Sequence, residues 1–216
     1  MMMKFFILFC LLILTACGPW DNQVTHLTGI VDPNYKGRFQ TKKVVIGGVG
    51  MSIFEQKELE DTFEKSLVKY NVQILRGLEL FPPTRNYSYN EKEKIITNKG
   101  ADALLIVSVD NRDISQTYIP PTYHPGTSTS TISEVGHFTT IRTVTTPGYV
   151  SGGHNISKPG ISVSVYLIHN TKNKETIWLA KGSSNGNAFA SFSNLIVSVA
   201  ETTVEKLAKE GLIVPK

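Results

Sequence analysis

Apolar and polar positions follow several distinct rhythms along this 216-residue chain, and each rhythm predicts a different element. Val44-Val45-Ile46 is a short β-branched run closed by Gly47-Gly48, the pattern of a buried strand that stops at a turn. Ser52 stands three residues before Glu55, the spacing at which a serine caps a helix and the glutamate reaches back to it. Leu59, Phe63, Leu67 and Tyr70 then recur at helical spacing, with Glu58, Glu60, Lys65 and Lys69 elsewhere on the circumference. This predicts a helix from about Ile53 to Tyr70 with one apolar stripe against a sheet. Val72, Ile74 and Leu75 supply a second strand, and Pro82-Pro83 ends regular pairing after it. Asn90 and Glu93 repeat the capping spacing, so a shorter helix is expected from about Glu91 to Lys99, stopped by Gly100. The near-continuous apolar stretch Ala101 to Val109 predicts a strand buried on both faces of a sheet. Strand, helix, strand, helix, strand with short links is the order of right-handed parallel crossovers, so the first half is α/β.

From about 113 to 160 the composition turns to Thr, Ser, Pro and Gly, with Thr127-Ser128-Thr129-Ser130-Thr131 at its most repetitive. Its apolar residues Ile132, Val135, Phe138, Ile141 and Val144 recur every third position, matching neither the strand period of two nor the helical 3.6. An inserted arm of extended β character, mobile or loosely paired, is expected. Order resumes at Ile161, where Ile161, Val163, Val165 and Leu167 alternate with Ser162, Ser164, Tyr166 and Ile168 as in a half-buried strand. Asn170 to Glu175 reads as a polar turn and Thr176 to Ala180 as the second strand of a hairpin. Ser193 is expected to cap a C-terminal helix with Leu195, Ile196, Val199, Ala200, Val204 and Leu207 on one face, ended by Gly211. The segment Leu212 to Val214 should tuck back onto the domain.

The chain opens on Lys4 followed by an apolar run from Phe5 to Leu14 and then Leu14-Thr15-Ala16-Cys17. A basic start, an apolar core and small residues at the break are the parts of a secretory signal, and the run is too short for the ~20 apolar residues of a membrane span. The ending resembles the lipobox of bacterial lipoproteins. That resemblance implies cleavage before Cys17, diacylglycerol on its thiol and palmitate labelling, and makes Cys17 the lipid-attachment residue. Gly18 rather than Asp after Cys17 implies, by similarity to Gram-negative sorting, an outer-membrane lipoprotein facing the periplasm. Residues 1–16 are then the signal, 17–42 the lipidated cysteine and a polar tether, and 43–216 a single α/β domain carrying the arm.

Composition narrows the chemistry. The formal charge of +4 loses Lys4 with the signal, leaving +3 in the mature chain, too small and scattered for a nucleic-acid partner. Of the two cysteines, Cys10 leaves with the signal and Cys17 is taken by lipid, so no disulfide, thiol nucleophile or cysteine metal ligand remains. Gly48-Val49-Gly50 lacks the third glycine of a dinucleotide fingerprint and reads as a tight turn. Ser66 to Lys69 matches S-x-x-K, but the serine sits mid-helix and no K-T-G element accompanies it. His124, His137 and His154 share the arm at separations that fit no common metal spacing. Asp102, Asp110, Asp113 and Glu134 stand near strand ends, where acids usually cap turns. No catalytic, cofactor or metal residue is therefore assigned. An enzyme, for example a hydrolase of cell-wall or surface glycans, would require these acids and the arm histidines to meet in one cleft.

With the lipobox and the α/β pattern, the strand bearing Leu167 and Tyr166 and the hairpin partner bearing Trp178 resemble uncharacterised bacterial envelope lipoproteins. More distantly, the order of elements resembles the periplasmic domain shared by the curli secretion lipoprotein and the amino-terminal part of the Tol-system propeller protein. These resemblances imply a non-enzymatic lipoprotein acting through contacts with an envelope protein, membrane-bound by its lipid. They also admit an oligomeric secretion component as an alternative.

Overall fold

The computed structural model describes residues 24–135, 138–171 and 173–216; the signal, Cys17 and His137 lie outside them. Strands β1 (Val24–Val31), β2 (Lys43–Val49), β3 (Gln73–Arg76) and β4 (Ala103–Ile119) are followed by β5 (Thr122–His124), β6 (Thr127–Val135), β7 (Phe138–Thr146) and β8 (Tyr149–Ser151). Then come β9 (His154–His169) and β10 (Thr176–Asn185). The helices are α1 (Ile53–Leu67), the single turn α2 (Gly77–Leu80), α3 (Tyr89–Asn98) and α4 (Phe192–Lys209). The chain divides into an α/β unit, containing the described residues up to Asp113 and those from Pro159 to Lys216, and a unit Ile114–Lys158. Among the described residues no helix is long and apolar enough to cross a membrane.

The α/β unit is built on a mixed sheet in the order β1-β10-β9-β4-β2-β3. β2 lies parallel to both β3 and β4. Because β3 and β4 flank β2 on opposite sides, right-handed crossovers must carry α1 over one face and α2–α3 over the other. The packing follows. On the first face Leu59, Phe63 and Leu67 of α1 and Leu195, Ile196, Val199 and Leu207 of α4 seal Ile46, Leu105, Val107, Val163, Val165 and Trp178 into the main core. On the second face a smaller cluster of Val45, Ile96 and Ala101 has Leu75, Phe81 and Leu104 half-buried around it. The α/β class is thus realised as a parallel β-α-β-α-β half, a hairpin and a C-terminal helix.

β10 pairs antiparallel with β9, and the contacts Asn170 N to Asp102 O (2.8 Å) and Ser164 Oγ to Asp110 (2.5 Å) run β9 antiparallel to β4. A register shift between Thr176 and Trp178 lets both Ile177 and Trp178 turn inward, the effect of a bulge. The tether expected through residue 42 does not hold from Val24 onward. Val24–Val31 pairs with β10 along its full length, placing Leu27 and Val31 in the core. Tyr35 and Phe39 then pack edge-on against His169, and Thr41 N donates to Leu212 O at 2.8 Å. Thr25, Leu27, Gly29 and Val31 share one face with a period of two, but a threonine and a glycine on that face, with His26 and Thr28 between, disguise an edge strand as polar coil.

Two caps fall elsewhere than expected. α3 is capped by Ser88 with Glu91, not Asn90 with Glu93, and α4 by Ser191 with Asn194, not Ser193. In each case the observed serine has extended backbone and both reciprocal bonds form, which satisfies two orphan N–H groups. α1 ends at Leu67, one turn before Tyr70.

In the unit Ile114–Lys158, β6 and β7 form an unbroken antiparallel ladder from Thr127↔Thr146 to Val135↔Phe138, and β5 pairs with β8. The ribbon is regular, not loosely paired. Its ladder is dressed by hydroxyls, Ser128 to Thr145 at 3.3 Å and Ser130 to Thr143 at 2.9 Å, so its pairing does not depend on an apolar alternation.

Candidate functional site

The cavity that the fold leaves open lies on the second face of the α/β sheet. Two long helices cover the first face, whereas the second receives one ten-residue helix and a single turn. The result is a cleft of about 470 Å³, within the range of small-molecule sites, floored by Val45, Gly47, Leu104 and Ile106 and walled by Phe81 and Ile96. Its far end reaches Gly48, Met51, Gln56 and Gly77 at the carboxyl ends of β2 and β3. The connections leaving β2 and β3 cross opposite faces of the sheet, and open α/β sheets bind ligands outside the strand ends at such a switch point.

The polar side chains lining the cleft include Gln56, Lys92, Glu93 and Lys174, and Gln56 is held from behind by groups outside the lining. Gln56 Nε2 donates to Glu60 Oε1 at 3.1 Å, and Leu78 N donates to the same oxygen at 3.0 Å. Glu60 is 1% exposed, and desolvation pushes its carboxyl above the ordinary carboxylate range against those bonds and Arg76. Arg76 itself pairs with Asp61 and stands 3.7 Å from Glu64 and 3.9 Å from Glu60 and Glu79. Along the opposite wall, Lys174 Nζ donates to Asn170 Oδ1 at 2.6 Å and lies 3.5 Å from Glu93. Lys174 adopts a left-handed backbone (φ 49°), costly for a residue with a Cβ. Lys92 Nζ sits 6.0 Å over the Phe81 ring.

A second polar cluster fixes the start of α1. Arg112 donates to both oxygens of Glu55, at 2.7 and 2.9 Å, and to Gly50 O at 3.1 Å, with its guanidinium 5.1 Å over Phe192. Arg112 and the Ser52 cap hold the Glu55 carboxyl down to about 2, against a smaller desolvation effect. Gly50 is left-handed (φ 72°), and a Cβ there would meet Val109 O at 2.5 Å. Gly48 and Val49 therefore do not form the tight turn their spacing suggests but extend β2, paired with Val107 and Ser108, and the chain bends only at Gly50, where Arg112 holds its carbonyl.

The residues singled out in the sequence do not converge. Asp102 Oδ2 accepts from the backbone of Lys42 and Lys43 at 2.8 and 3.1 Å, tying β4 to the start of β2. Asp110 accepts from Ser164. Eight residues of strand, ~26 Å, separate the two acids, and Asp113 lies beside Gly160, where a Cβ would meet its Oδ1 at 2.7 Å. In the other unit His124 stacks on Tyr149 at 4.5 Å and bonds Ser151 Oγ at 2.7 Å. Among the described residues no group of three His, Cys, Asp or Glu is placed to hold a metal ion. Sequence reading missed the cleft. Its one trace was the apolar run Ala103 to Val109, which asks for cover on both faces; the structure buries Ala103, Leu105 and Val107 and leaves Leu104 and Ile106 half-covered.

No protein-family model and no curated protein matches the chain. Among solved structures it is similar to the PelC dodecamer from Paraburkholderia phytofirmans, with a TM-score of 0.47, 11% identity, and coverage of 85% of this chain and 97% of that one. It is also similar to lipoprotein GNA1162 from Neisseria meningitidis (TM-score 0.42, 13% identity, 77% and 98% covered). A third likeness is to a PDZ domain protein from Parabacteroides distasonis (TM-score 0.35, 9% identity, 88% and 36% covered).

Proposed function

We propose that this protein is a non-enzymatic lipoprotein of the cell envelope, held in the outer membrane by lipid on Cys17 and facing the periplasm. It acts through contacts with another envelope protein in envelope maintenance or assembly. The anchor rests on the signal pattern and Leu14-Thr15-Ala16-Cys17. The contact role is carried by one observation, the ribbon β6–β7. It has two strands of nine residues whose outer edges are unpaired among the described residues, Ile132, Ile141 and Val144 exposed, and only Glu134, Arg142 and Lys158 as charges across 114–158. Two-stranded ribbons are marginal alone in water, and proteins normally guard free edges with charge, proline or cover. A ribbon of this kind without those guards suits addition of a partner's strand.

The anchor is tested by Cys17→Ser, which should abolish palmitate labelling and detergent partitioning; persistence of either overturns it. The contact role is tested in intact cells with photo-crosslinking side chains at Ile132 and Ile141, compared with Glu201 on the outer side of α4. Discrete protein adducts from the ribbon and none from α4 support it. Equal adducts from both positions, or none from the ribbon, would sink it.

A further inference from the structure

We propose that the cleft on the second face of the sheet binds one long-chain fatty acid, its hydrocarbon tail on the β2–β4 floor and its carboxylate at Lys92. The inference is independent of the ribbon. Four features point to this occupant.

The floor is apolar but half-covered, since Leu104 and Ile106 belong to a run patterned for burial and only α3 and the turn α2 lie over them. An apolar ligand would complete that face.

Gly47 stands inside β2 on the same face, between Val45 and Val49. Its backbone is not left-handed, so the chain conformation does not call for glycine, and a Cβ would meet only Ile106 Cδ1 at 3.0 Å. Close approach of a ligand to the sheet is one of the settings in which glycine stands inside a strand.

The volume selects a single chain. At roughly 30 Å³ for a methylene, close to the share of one water in the liquid, a cleft of about 470 Å³ holds about fifteen carbons. A two-chain phospholipid does not fit.

The charge selects the head. The lining carries Lys92, Lys174 and Glu93, a net +1. Lys174 is engaged by Glu93 and Asn170, and its left-handed turn holds it there, so its charge is answered within the protein. Lys92 stands exposed at the cleft's rim, its ammonium 6.0 Å over the Phe81 ring, and among the described residues no ion pair answers it, leaving one cation for one carboxylate.

The test uses the full-length protein in nanodiscs of phosphatidylcholine and a palmitate analogue with a diazirine at the tail end, followed by peptide mapping. Adducts are expected in the segments bearing Val45, Phe81, Ile96 or Ile106. Palmitate should compete at least tenfold better than palmityl alcohol, and Lys92→Gln should remove that preference. Gly47→Leu, or Ile96→Trp where the first variant does not fold, should lower labelling at least tenfold with a preserved unfolding midpoint. Adducts confined to other segments, equal competition by the alcohol, or full labelling of either folded, filled variant would each overturn the proposal.

Discussion

The two faces of the central sheet share strands β2, β4 and β9 but are finished in opposite ways. On the α1–α4 face the central side chains are sealed: Phe63, Leu59, Leu195, Ile196 and Trp178 are fully buried. On the α3 face the strands offer residues of the same kind, yet Leu104, Ile106 and Ile168 remain partly open. The difference comes from topology, not composition. A right-handed return from β3 to β4 had to cross the second face, and the crossing was made with one short helix. The first face therefore carries the stability, and the second has room for a ligand.

This contrast is broken most directly by truncation. Trp178→Ala or Phe63→Ala should lose about 3–5 kcal/mol in chemical denaturation, because each leaves a cavity in a sealed core. Ile106→Ala and Leu104→Ala should lose less than about 2 kcal/mol, since half of each side chain gains nothing from burial. Similar losses on the two faces would show that the cleft is closed in solution. Gly29→Ala probes the sealed face from its edge: a Cβ there would lie 2.5 Å from Trp178 Nε1 and 2.7 Å from Cε2, so about 1–3 kcal/mol should be lost to overpacking.

How far the sequence revealed these faces depends on which physical signal each element carries. α1 and α4 were legible because their apolar stripes sustain one period over many residues; the positions expected to line α4, from Leu195 to Leu207, are buried. The caps of α3 and α4 were displaced by two residues because Ser88 and Asn90, like Ser191 and Ser193, both offer a capping oxygen; only the backbone decides which has extended geometry. β1 was lost because a one-sided edge strand needs only every second residue apolar. The cleft could not be read at all, since an apolar residue that faces a cavity and one that faces a helix are written alike. Gly47 was taken only as the end of a strand.

The ion pair at the mouth of α1 sharpens the comparison through pH. Folded Glu55 titrates near 2, below the ~4.3 of an unfolded chain, so its contribution is fully present above that unfolded value and is lost as pH falls towards 2. Arg112→Met should cost about 1–3 kcal/mol at neutral pH, the range for breaking a charged bond to a buried carboxylate. It should also flatten the acid limb of stability between about pH 5 and pH 2. Glu60, five residues on in the same helix and buried, shifts the other way. Its raised folded value means stability that is present at low pH and declines as pH rises through that value. An unchanged acid limb in Arg112→Met would show that other carboxylates dominate it.

The smallest effect is the most discriminating. Gly47→Ala places its methyl against the end of one flexible Ile106 side chain, in a backbone conformation any residue adopts. Replacing a strand glycine removes unfolded-state freedom worth about 0.4–1 kcal/mol, and the 3.0 Å approach asks only the end of the Ile106 side chain to give by a few tenths of an ångström, so a net gain is expected. The gain should appear as a raised denaturation midpoint with an unchanged slope. Gly29→Ala, on the sealed face of the same sheet, moves the midpoint the other way. A loss at Gly47 would mean that this glycine serves the packing of the protein itself, and the space above it would no longer need a ligand to explain it.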